Sequence, residues 1–190
     1  TVVKDNRPRV KLERPVTSEK AIAEGAFRLK GVISDDYGIA QATARIEVQN
    51  SDIEPFAVPL SSDEPGRSVA FDEVIRLGDI GLEAGDALLV TVTASDRRPE
   101  PGVVNTDAVI VRIVHPHELL QELVDLVTNA KRVIESAEKF ERDLAKTVLE
   151  TDDFRTYLLK HRQHTRELET VAFDLALIAD EFRLNGLGVE

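Results

Sequence analysis

The distribution of glycine and proline divides this sequence into two parts that must fold differently. Residues 117–185 contain neither residue type, whereas residues 1–116 contain all eight prolines and eight of the ten glycines. Because proline and glycine disfavour helix interiors and favour turns, a long stretch without either is typical of helices. The sequence therefore predicts a segregated α+β protein, in which strands and turns come first and helices follow.

The first part, residues 1–115, contains short segments in which apolar and polar residues alternate, as they do in half-buried β-strands. Turn-forming residues separate these segments, and no helical pattern lies between them. The spacing predicts an Ig-like or cadherin-like β-sandwich of about seven strands, with a closed barrel as the competing fold. Pro55 and Pro59 restrict the short strand between them to a sheet edge. The segments are centred on residues 10–12, 27–33, 42–48, 56–58, 69–75, 88–94 and 109–113.

The second part, residues 116–190, has the heptad spacing of two long helices, with Pro116 at the start of the first and Asn185-Gly186 as the end of the second. A polar break at residues 150–153 lies between them, so we expect an antiparallel, coiled-coil-like helical hairpin. The predicted seam of the first helix consists of Leu119, Leu123, Leu126, Ala130, Val133, Ala137, Phe140 and Leu144. The predicted seam of the second helix consists of Leu158, His161, Thr165, Leu168, Ala172, Leu175, Ala179 and Phe182.

A further apolar row flanks each seam. It contains Leu120, Val127 and Ile134 on the first helix, and Val171 and Ile178 on the second. Two paired helices bury only about two such rows, so a third row needs another cover. We expect a second copy of the chain to provide it, which makes these five residues the predicted interaction surface. The alternatives are the chain's own sandwich and helices elsewhere in a longer protein.

Composition restricts the classes of partner. The chain has 24 basic and 35 acidic residues, a formal net charge of −11, which argues against binding to nucleic acid or to an anionic membrane surface. No apolar run approaches the length that crosses a bilayer, so we expect no direct membrane insertion. The absence of cysteine excludes disulfides and thiolate metal sites. Since the chain begins at Thr1 and has no methionine, we expect it to be part of a longer protein, which an anchor elsewhere would attach to a membrane.

Four aspartates are the candidate ligands of a calcium ion. Asp35, Asp36, Asp96 and Asp107 follow or precede predicted strands, and loops at one end of a sandwich lie close together. Carboxylate oxygens are the ligands that calcium prefers, so a calcium-dependent adhesion module is an alternative function. However, the two arginines that directly follow Asp96 would repel a cation. The other interpretation is that these aspartates shape turns or pair with the arginines.

Two histidines are the remaining candidate metal ligands. His161 and His164 lie three residues apart on the second helix, near Glu167, and such spacing can serve a metal-dependent hydrolase. A zinc site needs a third convergent ligand, and a buried histidine in a helix contact is the alternative. The sequence contains no nucleophile elbow and no phosphate-binding glycine loop. We therefore expect no enzymatic activity and no cofactor. A sandwich that binds an extended peptide at its edge is a further alternative, for which the sequence offers only the fold.

Several short runs give the chain a family resemblance. These runs are residues 33–40 (ISDDYGIA), 44–48 (ARIEV), 82–86 (LEAGD), 92–96 (VTASD), 109–114 (VIVRIV) and 118–120 (ELL). Together they resemble the extracytoplasmic part of large bacterial envelope proteins of the planctomycete type, in which an Ig- or cadherin-like segment with a DDYG turn leads into a coiled coil. The resemblance covers residues 16–126. Family members often have Ser-Pro where this chain has His115-Pro116.

The resemblance implies a non-enzymatic, envelope-associated module, periplasmic or at the cell envelope, on a parent that is anchored to a membrane. It implies no catalytic residues. We expect Gly38 in the DDYG turn to adopt a backbone geometry that other residues resist, and Tyr37 to pack over the edge of the sandwich.

Overall fold

The computed structural model describes residues 7–60, 67–148 and 154–187. Within these ranges the chain is an α+β protein, with nine β-strands in two sheets, arranged like a sandwich, and two α-helices. It divides into two compact units, Thr1–Leu119 and Leu120–Glu190. The elements are β1 (Arg9–Arg14), β2 (Ser18–Ala21), β3 (Ala26–Ser34), β4 (Ile39–Val48), β5 (Phe56–Pro59), β6 (Ser68–Arg76), β7 (Ala87–Asp96), β8 (Val103–Asn105), β9 (Val109–Ile113), α1 (Pro116–Val148) and α2 (Phe154–Leu184).

The two sheets of the first unit face each other across an aliphatic core. The smaller sheet has the strand order β1-β3-β6, and the larger has the order β2-β9-β7-β4-β5, with β8 also paired to β7. All pairs are antiparallel except β2 with β9. The apolar residues of each strand point inward, as the alternation predicts. Fully buried examples are Phe27, Leu29, Ile33, Ile46, Leu88, Val90 and Val92.

Two strands, β2 and β8, were not among the seven that the sequence predicts. β2 has the sequence SEKA, in which only Ala21 is fully buried, and β8 is only three residues long. Neither is long enough or apolar enough to show a period of two. Both are defined by their pairing with a neighbouring strand, which the local sequence does not reveal. The edge position of β5, which Pro55 and Pro59 predict, is confirmed.

The turn between β3 and β4 follows the DDYG sequence. The backbone amide of Tyr37 donates a hydrogen bond of 2.8 Å to Oδ1 of Asp35. Gly38 has a φ angle of 92°, which confirms the predicted turn geometry. The prediction for Tyr37 is wrong, because its side chain is 57% exposed and does not cover the sandwich edge.

The two helices begin and end largely where the sequence predicts. α1 begins at Pro116, and α2 ends at Leu184 in a Schellman motif, in which the amides of Gly186 and Leu187 donate to the carbonyls of Arg183 and Phe182. The predicted polar break at residues 150–153 lies outside the described residues. Within the described ranges, neither helix has an apolar stretch long enough to cross a membrane.

Candidate interaction surface

The buried side of α1 coincides with the predicted seam except at Leu126, which is 45% exposed. Leu119, Leu123, Ala130 and Ala137 are buried, and Phe140 is half-buried. These positions recur at intervals of three, four and seven residues, which places them on one side of the helix. The heptad pattern of the first helix therefore identified its contact side correctly.

Beside this seam, α1 carries a row of exposed apolar residues. Leu120, Val124, Val127 and Ile134 are 40%, 44%, 40% and 42% exposed, and we call these four residues the α1 apolar row. Three of them belong to the predicted interaction surface. Val124 was missed, although its spacing of four from Leu120 and three from Val127 was a sufficient signal.

On α2 the predicted interaction surface is wrong. Val171 and Ile178 are only 9% and 7% exposed, so they lie on the buried side of the helix and not on a free row. Leu158 and Leu168 of the predicted seam are instead 36% and 37% exposed. The contact side of α2 is thus shifted toward Val171 and Ile178, while Leu175 and Phe182 of the predicted seam are half-buried. The two β-branched residues bury more apolar surface than the neighbouring Ala172 of the predicted seam, which explains the preference.

Two side-chain contacts connect the helices of the second unit. The rings of Phe140 and His164 lie with their centroids 4.0 Å apart. Nδ1 of His161 lies 2.8 Å from Oε1 of Glu141. Nδ1 of His164 is 3.1 Å from a carboxylate oxygen of Glu167, but its orientation does not make a hydrogen bond.

Both histidines are therefore placed at the contact between α1 and α2. His161 faces one carboxylate and His164 faces an aromatic ring, and the two do not share a third ligand. In the parts of the chain that the structure describes, no group of three or more histidine, aspartate or glutamate side chains is placed to hold a metal ion. His161 therefore contacts α1 with a side chain that is 46% exposed, so it is not the buried histidine that the alternative predicts, while His164 is half-buried against Phe140.

Asp96 lies at the end of β7, where it is fully buried and held by the loop that follows it. Its Oδ2 lies 2.7 Å from Nη2 and 2.8 Å from Nε of Arg98. The backbone amide of Arg98 donates to Oδ1, and the amide of Gly102 donates to both oxygens. The hydrogen bond from the Arg98 guanidinium is the main cause that lowers the pKa of Asp96 below its ordinary value. Burial opposes this effect, and the two amides and the charge of Arg98 reinforce it.

The other three aspartates do not join Asp96 around one point. Asp35 is almost buried, with Oδ1 bound to the Tyr37 amide and Oδ2 without a partner, while Asp36 and Asp107 are exposed. Because Arg98 already occupies the carboxylate of Asp96, the structure does not assemble the four residues as calcium ligands. The second interpretation, in which aspartates shape turns and pair with arginines, describes Asp35 and Asp96.

The arginine next to this pair joins two loops. Arg97 donates from its backbone amide to the carbonyl of Gly38, at 3.1 Å, and from Nε to the carbonyl of Ile39, at 3.0 Å. These two hydrogen bonds connect the loop after β7 to the DDYG turn. Two of the six runs that carry the sequence resemblance, residues 33–40 and 92–96, lie next to each other at this contact.

A second group of exposed apolar residues lies on α2. Leu159, Phe173 and Leu177 are 62%, 65% and 37% exposed. Phe173 and Leu177 are four residues apart and share one side of the helix, which differs from the side of Leu168. The heptad spacing does not predict this group, because it identifies one side of a helix and not isolated apolar residues on another side.

We found no protein-family model and no curated protein that matches this chain. Among solved structures it is similar to the Br derivative of BhCBM56, with 10% identity and a TM-score of 0.29 over 45% of this chain and 78% of the other. It is also similar to murine CRIg, with 11% identity and a TM-score of 0.34 over 58% of this chain and 100% of the other. We infer no function from either likeness.

Proposed function

We propose that this chain is a non-enzymatic structural and protein-interaction module of a larger bacterial envelope protein. The β-sandwich, Ig-like or cadherin-like, acts as a spacer, and the two helices provide an assembly surface that binds a second copy of the chain. The single observation that carries the proposal is the α1 apolar row, whose side chains are about two-fifths exposed in the isolated chain. The envelope location depends only on the sequence resemblance.

The proposal includes an antiparallel hairpin of α1 and α2. Glu141 follows Phe140 on α1, yet its partner His161 precedes His164, the partner of Phe140, on α2. Residue numbers thus increase along one helix as they decrease along the other, which supports the antiparallel arrangement.

In such a hairpin the α1 apolar row and Leu168 of α2 face the same side. Leu120 and Val124 of the α1 apolar row directly follow the buried seam residues Leu119 and Leu123. Leu168 similarly follows the half-buried Glu167 on α2. In an antiparallel pair, an equal rotation away from the contact line takes both helices to the same face. Leu168 therefore extends the α1 apolar row into a broader surface.

The size of this surface favours weak, concentration-dependent self-association. Complete burial of an aliphatic side chain is worth about 1.5–3 kcal/mol, so the exposed two-fifths of one contributes roughly 0.6–1.2 kcal/mol. The four residues of the α1 apolar row in two copies then contribute roughly 5–10 kcal/mol. Association costs about 4–15 kcal/mol, so Leu168 of α2 must also contribute.

The titratable groups that the sequence offers as candidate ligands have structural roles in this fold. The Asp96 carboxylate is bound to Arg98, and the rings of His161 and His164 lie at the contact between the helices. These placements favour a module that binds proteins over one that performs chemistry.

Sedimentation of the 190-residue chain over a range of concentrations tests the proposal. The variant Leu120→Gln/Val127→Gln/Ile134→Gln keeps good helix formers and removes apolar surface. We expect it to weaken self-association by at least roughly a hundredfold, since its loss of roughly 4–7 kcal/mol greatly exceeds the 1.4 kcal/mol that equals a factor of ten.

A matched variant controls for the general loss of exposed apolar surface. Leu159→Gln/Phe173→Gln/Leu177→Gln changes three exposed residues on another side of α2, and we expect its self-association to equal that of the unchanged chain. Circular dichroism would verify that both variants keep their helices. If the two variants associate equally, or if the unchanged chain shows no association that depends on the α1 apolar row, the proposal is wrong.

A further inference from the structure

β6 is a long, regular strand at a sheet edge. It pairs with β3 over nine consecutive residues with no shift of register, from Ser68 to Arg76. On its other side it pairs with no strand in the described part of the chain. It therefore presents a row of backbone amides and carbonyls that another extended chain can bind.

The other edge strands have the features by which proteins avoid such pairing. β1 has a register shift between Leu12 and Arg14, and β5 has only four residues and ends at Pro59. β2 has four residues and β8 has three. Short strands, irregular register and proline all prevent edge-to-edge addition. Among the described strands, β6 alone combines an edge position with nine residues in unbroken register, so its edge has room for a further strand.

The outward side chains of β6 are arranged for pairing with an identical strand. The buried Val69, Phe71 and Ile75 belong to the core, so the solvent side carries Ser68, Ala70, Asp72, Val74 and Arg76. Val74 is 43% exposed, and Asp72 and Arg76 lie two residues on either side of it. An antiparallel pair centred on Val74 therefore places Asp72 of each copy opposite Arg76 of the other.

We propose that β6 pairs antiparallel with β6 of a second copy, about a two-fold axis at Val74. Two valines meet at the centre, and an oppositely charged pair lies on each side, which is a favourable set of cross-strand neighbours. The register centred on Asp72 is disfavoured, because it places two aspartates opposite each other. Asp72 already contacts Arg28 within its own copy, at 2.6 Å, so the dimer places its carboxylate between two guanidinium groups.

This surface is distinct from the α1 apolar row, which lies in the other unit. The β6 pairing does not depend on the proposed function. If both hold, each chain has two different self-complementary surfaces, and copies can join into assemblies larger than a dimer.

The test uses the Leu120→Gln/Val127→Gln/Ile134→Gln chain as its background, so that association through the helices is removed. We expect this chain to remain a dimer by sedimentation at high concentration. Adding Arg76→Asp should weaken the dimer roughly tenfold, because two favourable charge pairs become two repulsive ones. Adding Arg28→Asp and Asp72→Arg together with Arg76→Asp should restore it, because this reverses the Arg28–Asp72 pair and both cross-strand pairs at once. A mere loss of folding would not be reversed in this way.

Hydrogen exchange provides a second readout that does not depend on the substitutions. In the background chain, we expect the β6 amides to exchange more slowly at high than at low protein concentration, while the amides of β5 do not change. The proposal is overturned if the background chain is a strict monomer or if Arg76→Asp leaves its association unchanged. It is also overturned if the charge reversal does not restore the dimer. Slower β6 exchange only in the presence of an unrelated extended peptide would also overturn it, in favour of a different occupant.

If Arg76→Asp abolishes association of the unchanged chain and the α1 row variant does not, the β6 pairing stands and the proposed function fails.

Discussion

Gly31, in the middle of β3, is where the smaller sheet has no space for a side chain. A Cβ atom at this position would lie 2.6 Å from the backbone carbonyl oxygen of Lys11 and 2.7 Å from Cζ of Phe71. The first contact involves the backbone of β1, which cannot move without disturbing its pairing with β3. The second involves a ring that is buried in the core. We therefore expect Gly31→Ala to destabilise the first unit.

The magnitude follows from the two contacts. Inserting one carbon into a filled site typically costs about 1–3 kcal/mol, since neighbours must leave their preferred positions. In a domain of about this size, each kcal/mol lowers Tm by roughly 4 °C. We expect Gly31→Ala to lower Tm of the first unit by roughly 4–12 °C.

Gly78→Ala is the matched control. The closest atom to a Cβ at position 78 is the Glu24 carbonyl oxygen, at an ordinary contact distance of 3.8 Å. Both substitutions restrict the unfolded chain equally, so the difference between them reports the folded state. Near-ultraviolet circular dichroism and thermal melting of both variants would measure it. If the two melt within about 1 °C of each other, far less than the expected shift, the close approach of β1 and Phe71 to Gly31 is not real.

Two further predictions concern the loop after β7 and the contact side of α2. Because the pKa of Asp96 is lowered in the folded state, its contribution to stability is present above the ordinary aspartate value, near pH 4, and is lost as pH falls through the lowered value. Asp96→Asn should therefore lower the free energy of unfolding at neutral pH and reduce its decline on acidification. Urea titrations at several pH values would measure both effects, and a pH dependence equal to that of the unchanged chain contradicts this. Ile178→Ala should cost about 2–5 kcal/mol and Leu168→Ala less than about 1 kcal/mol, because Ile178 is 7% and Leu168 37% exposed. Urea unfolding followed by the helical circular dichroism signal would measure both losses. A larger loss for Leu168→Ala than for Ile178→Ala would support the contact side predicted from the sequence.

The two helices show where sequence reasoning succeeded and where it did not. On α1 the apolar positions form one dominant stripe, so Leu123, Ala130 and Ala137 were assigned to the buried side correctly. On α2 the heptad spacing favours the stripe of Leu168, Ala172 and Leu175, whereas the buried Val171 and Ile178 lie on the neighbouring stripe. The choice between them depends on which stripe meets α1, and the spacing of residues within one helix contains no information about that.

The candidate sites show the same division. The sequence showed that Asp96 precedes two arginines, and therefore offered both an ion pair and a calcium ligand. The structure decides for the ion pair, because the loop returns through Gly102 and places Arg98 on the carboxylate. The exposed edge of β6 was not foreseeable at all, since a strand's pattern does not reveal which of its two sides has a neighbour.

By itself the sequence determined the division of the chain into a strand-rich and a helical part, the inward faces of the longer strands and the buried side of α1. These are local properties, which follow from turn residues and from the periods of 2.0 and 3.6 residues. Tertiary structure alone decided the strands β2 and β8, the orientation of α2, the partner of Asp96 and the free edge of β6. Each of these depends on which segments become neighbours in space, and no pattern within a single segment encodes that choice.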